Sequence, residues 1–299
     1  MTRILHVSDL HLEDGFPGVP WKSFANKRLV GLANLRLLRR RLFAQARQKV
    51  DALADFAREQ GVDLVVCTGD YTALGTDAEI AYARRVIEPL THAPQGFFTV
   101  PGNHDVYLQD AVRAGWFEKH FGEFLRTDLP EYAVDGPWPQ VWLSVDGLAL
   151  IGVNSARPNP NPTLSNGRIP DAQLDALARI LDDERVRDRF IIIATHYAPR
   201  LANGQPDRPH HGLENADALL EISCAVQRGV IVHGHVHRRY HVWVAESHLP
   251  LCCAGSTTHE GREGLWVFDV EEHRAVATPG RWDQLRYILE PDQAFEIFA

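Results

Sequence analysis

Five groups of metal-binding side chains follow one another along this chain, each directly behind an apolar run that reads as a buried strand. The runs 4–7, 62–67, 97–100, 190–194 and 230–232 end just before Asp9 with His11, Gly69 with Asp70, Asn103 to Asp105, His196, and His235 with His237. In an open α/β sheet, ligands gather beyond the carboxyl ends of the strands, so residues distant in sequence converge on one crevice. The pattern therefore demands strands whose C-terminal ends meet at a single site.

Such a site needs a large core. With 299 residues and 45% hydrophobic content, the chain is long enough to build one, and the expectation is a single domain over 1–299 with an insertion at about 22–43. A net charge of -8, from 31 basic and 39 acidic side chains, argues against broad affinity for nucleic acid. The four cysteines include the adjacent Cys252 and Cys253, poorly placed to pair with each other, and reduced thiols fit a cytoplasmic protein. No charged and apolar leader precedes the first strand, and no apolar run approaches the ~18 residues of a membrane span, so neither secretion nor spanning is expected.

Strands alternate with helical patterns through the first half, as in βαβ units. Helices are expected over 43–59, stopped by Gly61, over 76–90, and over 170–181 behind Pro170. Thr76 with Glu79 three residues on reads as a capping box. Segments 156–170 and 200–212, rich in Pro, Asn, Gly and His, read as loops. Later strands at 143–145, 148–153, 240–245, 251–254, 265–269 and 275–278 suggest a second sheet stacked on the first. The expected architecture is α/β, a four-layer αββα sandwich of two mixed β-sheets flanked by helices.

An isolated Asp-x-His or Gly-Asp is ordinary turn chemistry. The ordered set Asp9-x-His11, Gly69-Asp70, Gly102-Asn103-His104-Asp105, His196 and Gly234-His235-x-His237 is not, and it resembles the calcineurin-like metallophosphoesterase superfamily. The resemblance runs from residue 9 to residue 237 and implies two divalent metal ions, one on Asp9, His11, Asp70 and His237, the other on Asp70, Asn103, His196 and His235. Asp70 bridges them. Imidazole, carboxylate and amide donors without thiolate suit Mn, Fe or Zn. The implied chemistry is hydrolysis of a phosphoric ester by a metal-bridging hydroxide that attacks phosphorus in line. His104 resembles the family's histidine at the leaving group, with Asp105 expected to orient it.

Position also suggests Tyr71, Asn154, Ser155, His210 and His211 as pocket-lining residues, with 255–259 approaching the metals. His6, His92, His120, His241, His248, His259 and His273 lack a motif partner and read as surface or packed side chains. The stretch from Gly69 to Glu79 looks like the bacterial branch that includes class III cyclic-nucleotide phosphodiesterases and glycerophosphodiesterases, which implies small phosphodiester substrates. The insertion departs from the simplest members. In it Gly31, Leu35, Leu38 and Leu42 share one helical face, and Arg36, Arg40 and Arg47 another, with Arg39 and Arg41 beside them. A basic amphipathic helix over 27–41 fits either packing with a solvated basic face or peripheral membrane contact. With the Asp9 to Leu12 block, it also resembles the UDP-diacylglucosamine pyrophosphate hydrolases of lipid A synthesis. A third reading, a non-catalytic metal-binding scaffold, expects lost ligand positions, and none is lost. No heptad or interface pattern assigns an oligomeric state.

Overall fold

The computed structural model describes residues 1–16, 19–34 and 41–298. In chain order the strands are β1 (Thr2–Val7), β2 (Leu64–Cys67), β3 (Gly96–Thr99), β4 (Gln140–Leu143), β5 (Leu148–Gly152), β6 (Phe190–Ala194), β7 (Gly229–His233), β8 (Arg239–Val242), β9 (Leu251–Ala254), β10 (Leu265–Val270), β11 (Ala275–Trp282), β12 (Tyr287–Leu289) and β13 (Phe295–Phe298). The helices are α1 (Lys27–Asn34), α2 (Ala46–Glu59), α3 (Asp77–Val86), α4 (Gln109–Arg113), α5 (Trp116–Phe121), α6 (Asp171–Asp182) and α7 (Ala216–Ser223).

Two mixed sheets result. The first runs β12-β11-β10-β1-β2-β3, with β13 also on β11, and the second runs β4-β5-β6-β7-β9-β8. In the first sheet β1, β2 and β3 are parallel and β10 joins β1 antiparallel. In the second, β5, β6, β7 and β9 are parallel, between antiparallel edges. The chain thus returns to the first sheet at its end, whereas the sequence pattern suggested that the later strands all belong to a second one. The edge-to-edge pairing of β10 with β1 cannot be read from either strand alone.

Side-chain alternation decides how the sheets stack. Leu148, Leu150, Phe190, Ile192, Val230 and Val232 share a core cluster with Ile4, Val65 and Val66 of the first sheet. Their neighbours Ala149, Ile151, Ile191, Ile193 and Ile231 pack instead with Leu174, Leu177 and Ile180 of α6 and with Leu219 and Leu220 of α7. Strands β5, β6 and β7 therefore bury both faces, one on a sheet and one on helices. Val50, Leu53 and Phe56 of α2 and Ile80 and Ala83 of α3 complete the cluster of the first sheet.

Local signals explain most boundaries. Thr76 accepts from the Glu79 N–H, and the Glu79 carboxylate returns to the Thr76 N–H at 3.0 Å, the capping box the sequence predicts. Helix α3 stops at Val86, earlier than expected, and a 3-10 turn carrying Pro89 continues to His92. Gly61 takes φ +63° just past α2. The strand expected at 143–145 is instead 140–143, because residues 144–146 turn the β4–β5 hairpin and leave Val145 fully exposed.

The insertion packs onto the first sheet's loops. Leu32 and Phe24 are buried with Ala73, Leu74, Tyr107 and Leu108. Arg28, fully buried on α1, pairs with Asp110 and donates to the carbonyls of Leu74 and Gly75, each at 3.0 Å. Leu35, Arg36, Leu38, Arg39 and Arg40, on which the amphipathic reading of the insertion rests, lie outside the described residues. No helix among the described residues is long and apolar enough to cross a membrane.

Two imidazoles, one on β1 and one at the end of β7, are fully buried. Burial pushes His6 down to about 3 and His233 down to about 4, and each disfavours charge on its counterpart or on nearby histidines. Unfolded histidines titrate near 6.5, so the unfolded chain binds the extra protons first as pH falls. Stability is therefore whole above about 6.5 and declines from there toward 4, by a few kcal/mol in all. Urea midpoints of metal-free protein between pH 7 and pH 4 should show this slope, and His6→Asn or His233→Asn should flatten it. An unchanged slope in both variants would contradict the assignment.

Candidate metal centre

The polar groups leave their strands in an uncommon backbone shape. Asp9, His11, Asp70, His235 and His237 have φ of 55°, 43°, 57°, 71° and 49°. For non-glycine residues the left-handed region costs roughly 1–2 kcal/mol each, and such strain concentrates at functional sites. Cross-loop bonds hold it: Asp9 N–H to the Gly69 carbonyl at 2.9 Å, His11 N–H to Asp70 at 3.0 Å and Gly234 N–H to His196 at 3.0 Å. Glycine is required where the loops touch. A Cβ on Gly102 would strike the Asp70 carboxylate, and one on Gly234 would strike Ser8 and Asp9.

Two groups of donor atoms meet at the junction of the sheets. In the first, Asp9, His11, Asp70 and His237 each offer a ligand atom within 4.8 Å of the others. His237 Nε2 lies 3.0 Å from Asp9 Oδ1 and 3.0 Å from His11 Nε2. In the second, Asn103 Oδ1 lies 3.0 Å from His196 Nε2 and 3.1 Å from His235 Nδ1. Asp70 Oδ2 stands between the groups, 3.8 Å from His11 Nε2 and 3.5 Å from His196 Nε2.

The outer nitrogens fix which atoms carry lone pairs. His11 Nδ1 faces the Thr72 carbonyl at 3.0 Å, His196 Nδ1 the Thr68 carbonyl at 2.7 Å, and His235 Nε2 the His211 carbonyl at 2.9 Å. Each of those nitrogens must donate, so the inward nitrogen of each ring is an acceptor. His196 Nε2 and His235 Nδ1 then confront Asn103 Oδ1 lone pair to lone pair, a repulsive arrangement that a shared cation turns into an attractive one. Asp9 Oδ1, buried, has no hydrogen-bond partner. Burial lowers the His196 and His235 pKa, while His237 and His196 hold Asp9 below its usual value against its own burial. Asp9, His196 and His235 are thus biased toward their unprotonated forms, as metal ligands must be, and the donor set fits two divalent ions.

Comparison with known proteins agrees with this geometry. The family model for calcineurin-like phosphoesterases matches residues 2–239. The chain belongs to that family. A search of curated proteins found no match. Among solved structures, a dimetal phosphatase from Danio rerio superposes with TM-score 0.66 at 13% identity, covering 99% of this chain and 98% of that one. The purple acid phosphatase PPD1 from yellow lupin (Lupinus luteus) seeds gives TM-score 0.57 at 10% identity, covering 99% of this chain and 53% of that one. At these identities the likeness is one of fold. Calcineurin-like phosphoesterases are metal-dependent phosphohydrolases, and the family implies the two divalent ions for which the clusters provide ligands.

The remaining site residues of this calcineurin-like chain divide sharply. His104 borders the cavity, its N–H donating to Asp70 Oδ1 at 2.7 Å and its Nδ1 to the Ala73 carbonyl at 2.5 Å. The carbonyl, rather than Asp105, sets the ring's tautomer. The Asp105 carboxylate is turned instead to the backbone N–H groups of Asp70, Tyr71, Thr72 and Gly102, at 2.8 to 3.2 Å, tying the loops after β2 and β3 together. Burial pushes its carboxyl up to about 7, against the pull of those donors. Tyr71 does not line the pocket: it is fully buried against Phe121, its hydroxyl 2.6 Å from Thr99 Oγ1. Asn154 uses its side-chain oxygen on the Ala156 N–H, and Ser155 is buried on Thr195.

His210 and His211 do line a cavity of about 940 Å³ together with Asp70, Asn103, His104, Asp207, Arg208 and Arg262. His211 also packs its ring 4.2 Å from His235 and holds Asp207 at 2.6 Å. Those two acidic and imidazole groups form a further cluster with His235. The segment 255–259 reaches the loops that carry the candidate ligands: Ser256 and Thr258 donate to the carbonyls of Asp9 and Leu10, and the His259 ring lies 5.8 Å from His237. Asp207, Arg208 and Arg262 carry no motif, and only the loop position after His196 pointed toward the first two.

Metal loading of metal-free protein should reach two ions per chain by mass spectrometry of metals, and Asp70→Ala, which strips both groups of a donor, should leave neither tightly held. Asp105→Ala should keep the ligands but orphan four buried N–H groups, lowering stability by at least about 3 kcal/mol in urea unfolding.

Proposed function

We propose that this calcineurin-like phosphoesterase hydrolyses small phosphodiesters, using two divalent metal ions held by Asp9, His11, Asp70, Asn103, His196, His235 and His237. The observation that carries the reading is Asp70 Oδ2, placed within 3.8 Å of both imidazole groups, where one carboxylate oxygen can serve both ions. When bound, the ions supply an activated water and neutralise charge on the phosphoryl oxygens.

The protein's own groups supply the rest. With Nδ1 engaged by Ala73, His104 exchanges protons through Nε2, which suits it to protonate the departing alkoxide. Its N–H bond to Asp70 fixes it relative to the metal ligands. Support for a diester comes from cavity shape. A second cavity of about 210 Å³, lined by Lys27, Gly31, Ala73, Leu74, Tyr107, Pro162 and Leu164, shares Asn103, His104 and Ser165 with the large one. Two cavities meeting at His104 accommodate the two arms of a phosphodiester, whereas a monoester fills one. Arg208 and Arg262 on the large cavity favour, as a second reading, a substrate with a pyrophosphate link.

The test is turnover of metal-free protein reconstituted with Mn, Fe or Zn on paired aryl phosphodiesters and phosphomonoesters, with a nucleotide-sugar pyrophosphate alongside. The diester should have the higher kcat/KM. His104→Ala should keep its metal content and lose ~10²–10⁴-fold in kcat on an unactivated ester. Near-normal turnover in that variant would remove His104 from the chemistry.

A further inference from the structure

Lys27 opens helix α1 of the insertion, and its surroundings are unusual for a lysine. The side chain is half-buried in the wall of the smaller cavity. Its Nζ donates to the carbonyls of Asn159 at 2.7 Å and Leu164 at 3.1 Å, and lies 4.8 Å from the centre of the Tyr107 ring. That ring stacks in turn on His104, with centroids 5.5 Å apart and planes 23° from parallel. Among the described residues no carboxylate pairs with this ammonium. The next residue shows the alternative, since the buried guanidinium of Arg28 is held by Asp110.

A partly desolvated cation without a counter-anion is costly, and folded proteins ordinarily pair such a group. Burial alone lowers the Lys27 pKa, with no neighbouring negative charge to restore it. The two carbonyls satisfy hydrogen bonding but leave the net charge standing. Around it the cavity is shaped by close contacts: a Cβ on Gly31 would come within 2.8 Å of the Tyr107 hydroxyl oxygen, so the pocket wall is already in contact there. The missing partner is an anion that enters with a ligand.

We infer that the cavity between Lys27, Tyr107 and Leu164 is the leaving-group subsite and that it takes a leaving group carrying its own negative charge, a carboxylate or a phosphate. The inference rests on the hydrolase reading above, which makes His104 the leaving-group acid and so assigns the cavity beside it to the departing arm. Lys27 is then a specificity residue contributed by the insertion, reading a charge that the metal ions do not touch.

The experiment compares two methyl phosphodiesters that differ only in the charge of the departing arm, those of 4-hydroxybenzoate and 4-hydroxybenzamide. Each is assayed on the Mn-loaded full chain of wild type, Lys27→Gln, Lys27→Met and Lys27→Arg, after thermal melts confirm folding. In parallel, calorimetry measures binding of the matching methyl benzylphosphonates, para-carboxylate and para-carboxamide, in which CH2 replaces the scissile aryl ester oxygen so that the arm cannot depart. The expected result is a kcat/KM ratio, benzoate over benzamide, that falls about tenfold in Lys27→Gln and Lys27→Met, the size of one charge-assisted contact, and is restored in Lys27→Arg. A merely structural lysine would depress both substrates by the same factor, and that outcome, or a wild type with no preference, overturns the subsite. If wild type hydrolyses neither substrate the hydrolase reading fails, and the phosphonate affinities still decide the subsite: a carboxylate preference lost in Lys27→Gln supports it, and equal affinities overturn it.

Discussion

Lone pairs that face one another across about 3 Å dominate this structure. His196 Nε2 and His235 Nδ1 both confront Asn103 Oδ1, and His11, His237 and Asp9 crowd a second point, with Asp70 reaching toward both. With neutral imidazoles no arrangement of protons satisfies all of them, because the outer nitrogens of His11, His196 and His235 already commit their hydrogens to carbonyls. The fold therefore holds a concentrated negative potential at the edge where its two sheets meet. Cations resolve it. That requirement explains why so many residues adopt a left-handed backbone there: an ordinary strand exit would carry the side chains past the junction rather than into it.

Strain of that kind persists only where the surroundings over-determine it, and the loops are braced by carboxylates that never reach the cavity. Asp105 gathers four N–H groups from the loops after β2 and β3. Glu79, one turn into α3, takes the N–H groups of Ala73, Leu74 and Thr76 while lying wholly buried, and burial pushes its carboxyl up to about 7. Because the Ala73 carbonyl is what orients His104, the capping box of a helix and the His104 ring are joined through a single peptide segment. His104 is thus positioned from two sides, by its backbone bond to Asp70 and by a carbonyl that helix-capping chemistry holds in place.

Much of this was legible in sequence, for a physical reason. Buried parallel strands must be apolar throughout, and they stop where the chain turns to present polar groups, so the five ligand segments could be found by their position behind such runs. The capping box at Thr76 and Glu79 is equally local. What sequence could not supply is which sheet a strand joins: β10 is as apolar as β9, yet it pairs with β1, and that choice depends on non-local contact. Residue roles failed in the same way. Tyr71 sits beside Asp70 in the chain, but its side chain turns inward onto Phe121, and Asp105 follows His104 but points back at the loop backbone. Adjacency in sequence gave the wrong neighbour in both cases because these residues lie in loops and turns, where the backbone sends successive side chains in different directions.

The segment that carries α1 packs beside the site, and its contacts show what it does there. Its buried residues Phe24, Leu32 and Arg28 all rest on the segments 73–75 and 107–110, the same segments that orient His104. A helix docked there does two things at once. It stiffens the loops behind the metal ligands, and it walls off a second cavity that bare loops would leave open to solvent. Metal ligands and His104 can accept any phosphoric ester that reaches them, so discrimination must come from surfaces the reaction itself does not use. On the proposed reading, the helix that leans on these loops and presents Lys27 to the smaller cavity is one such surface.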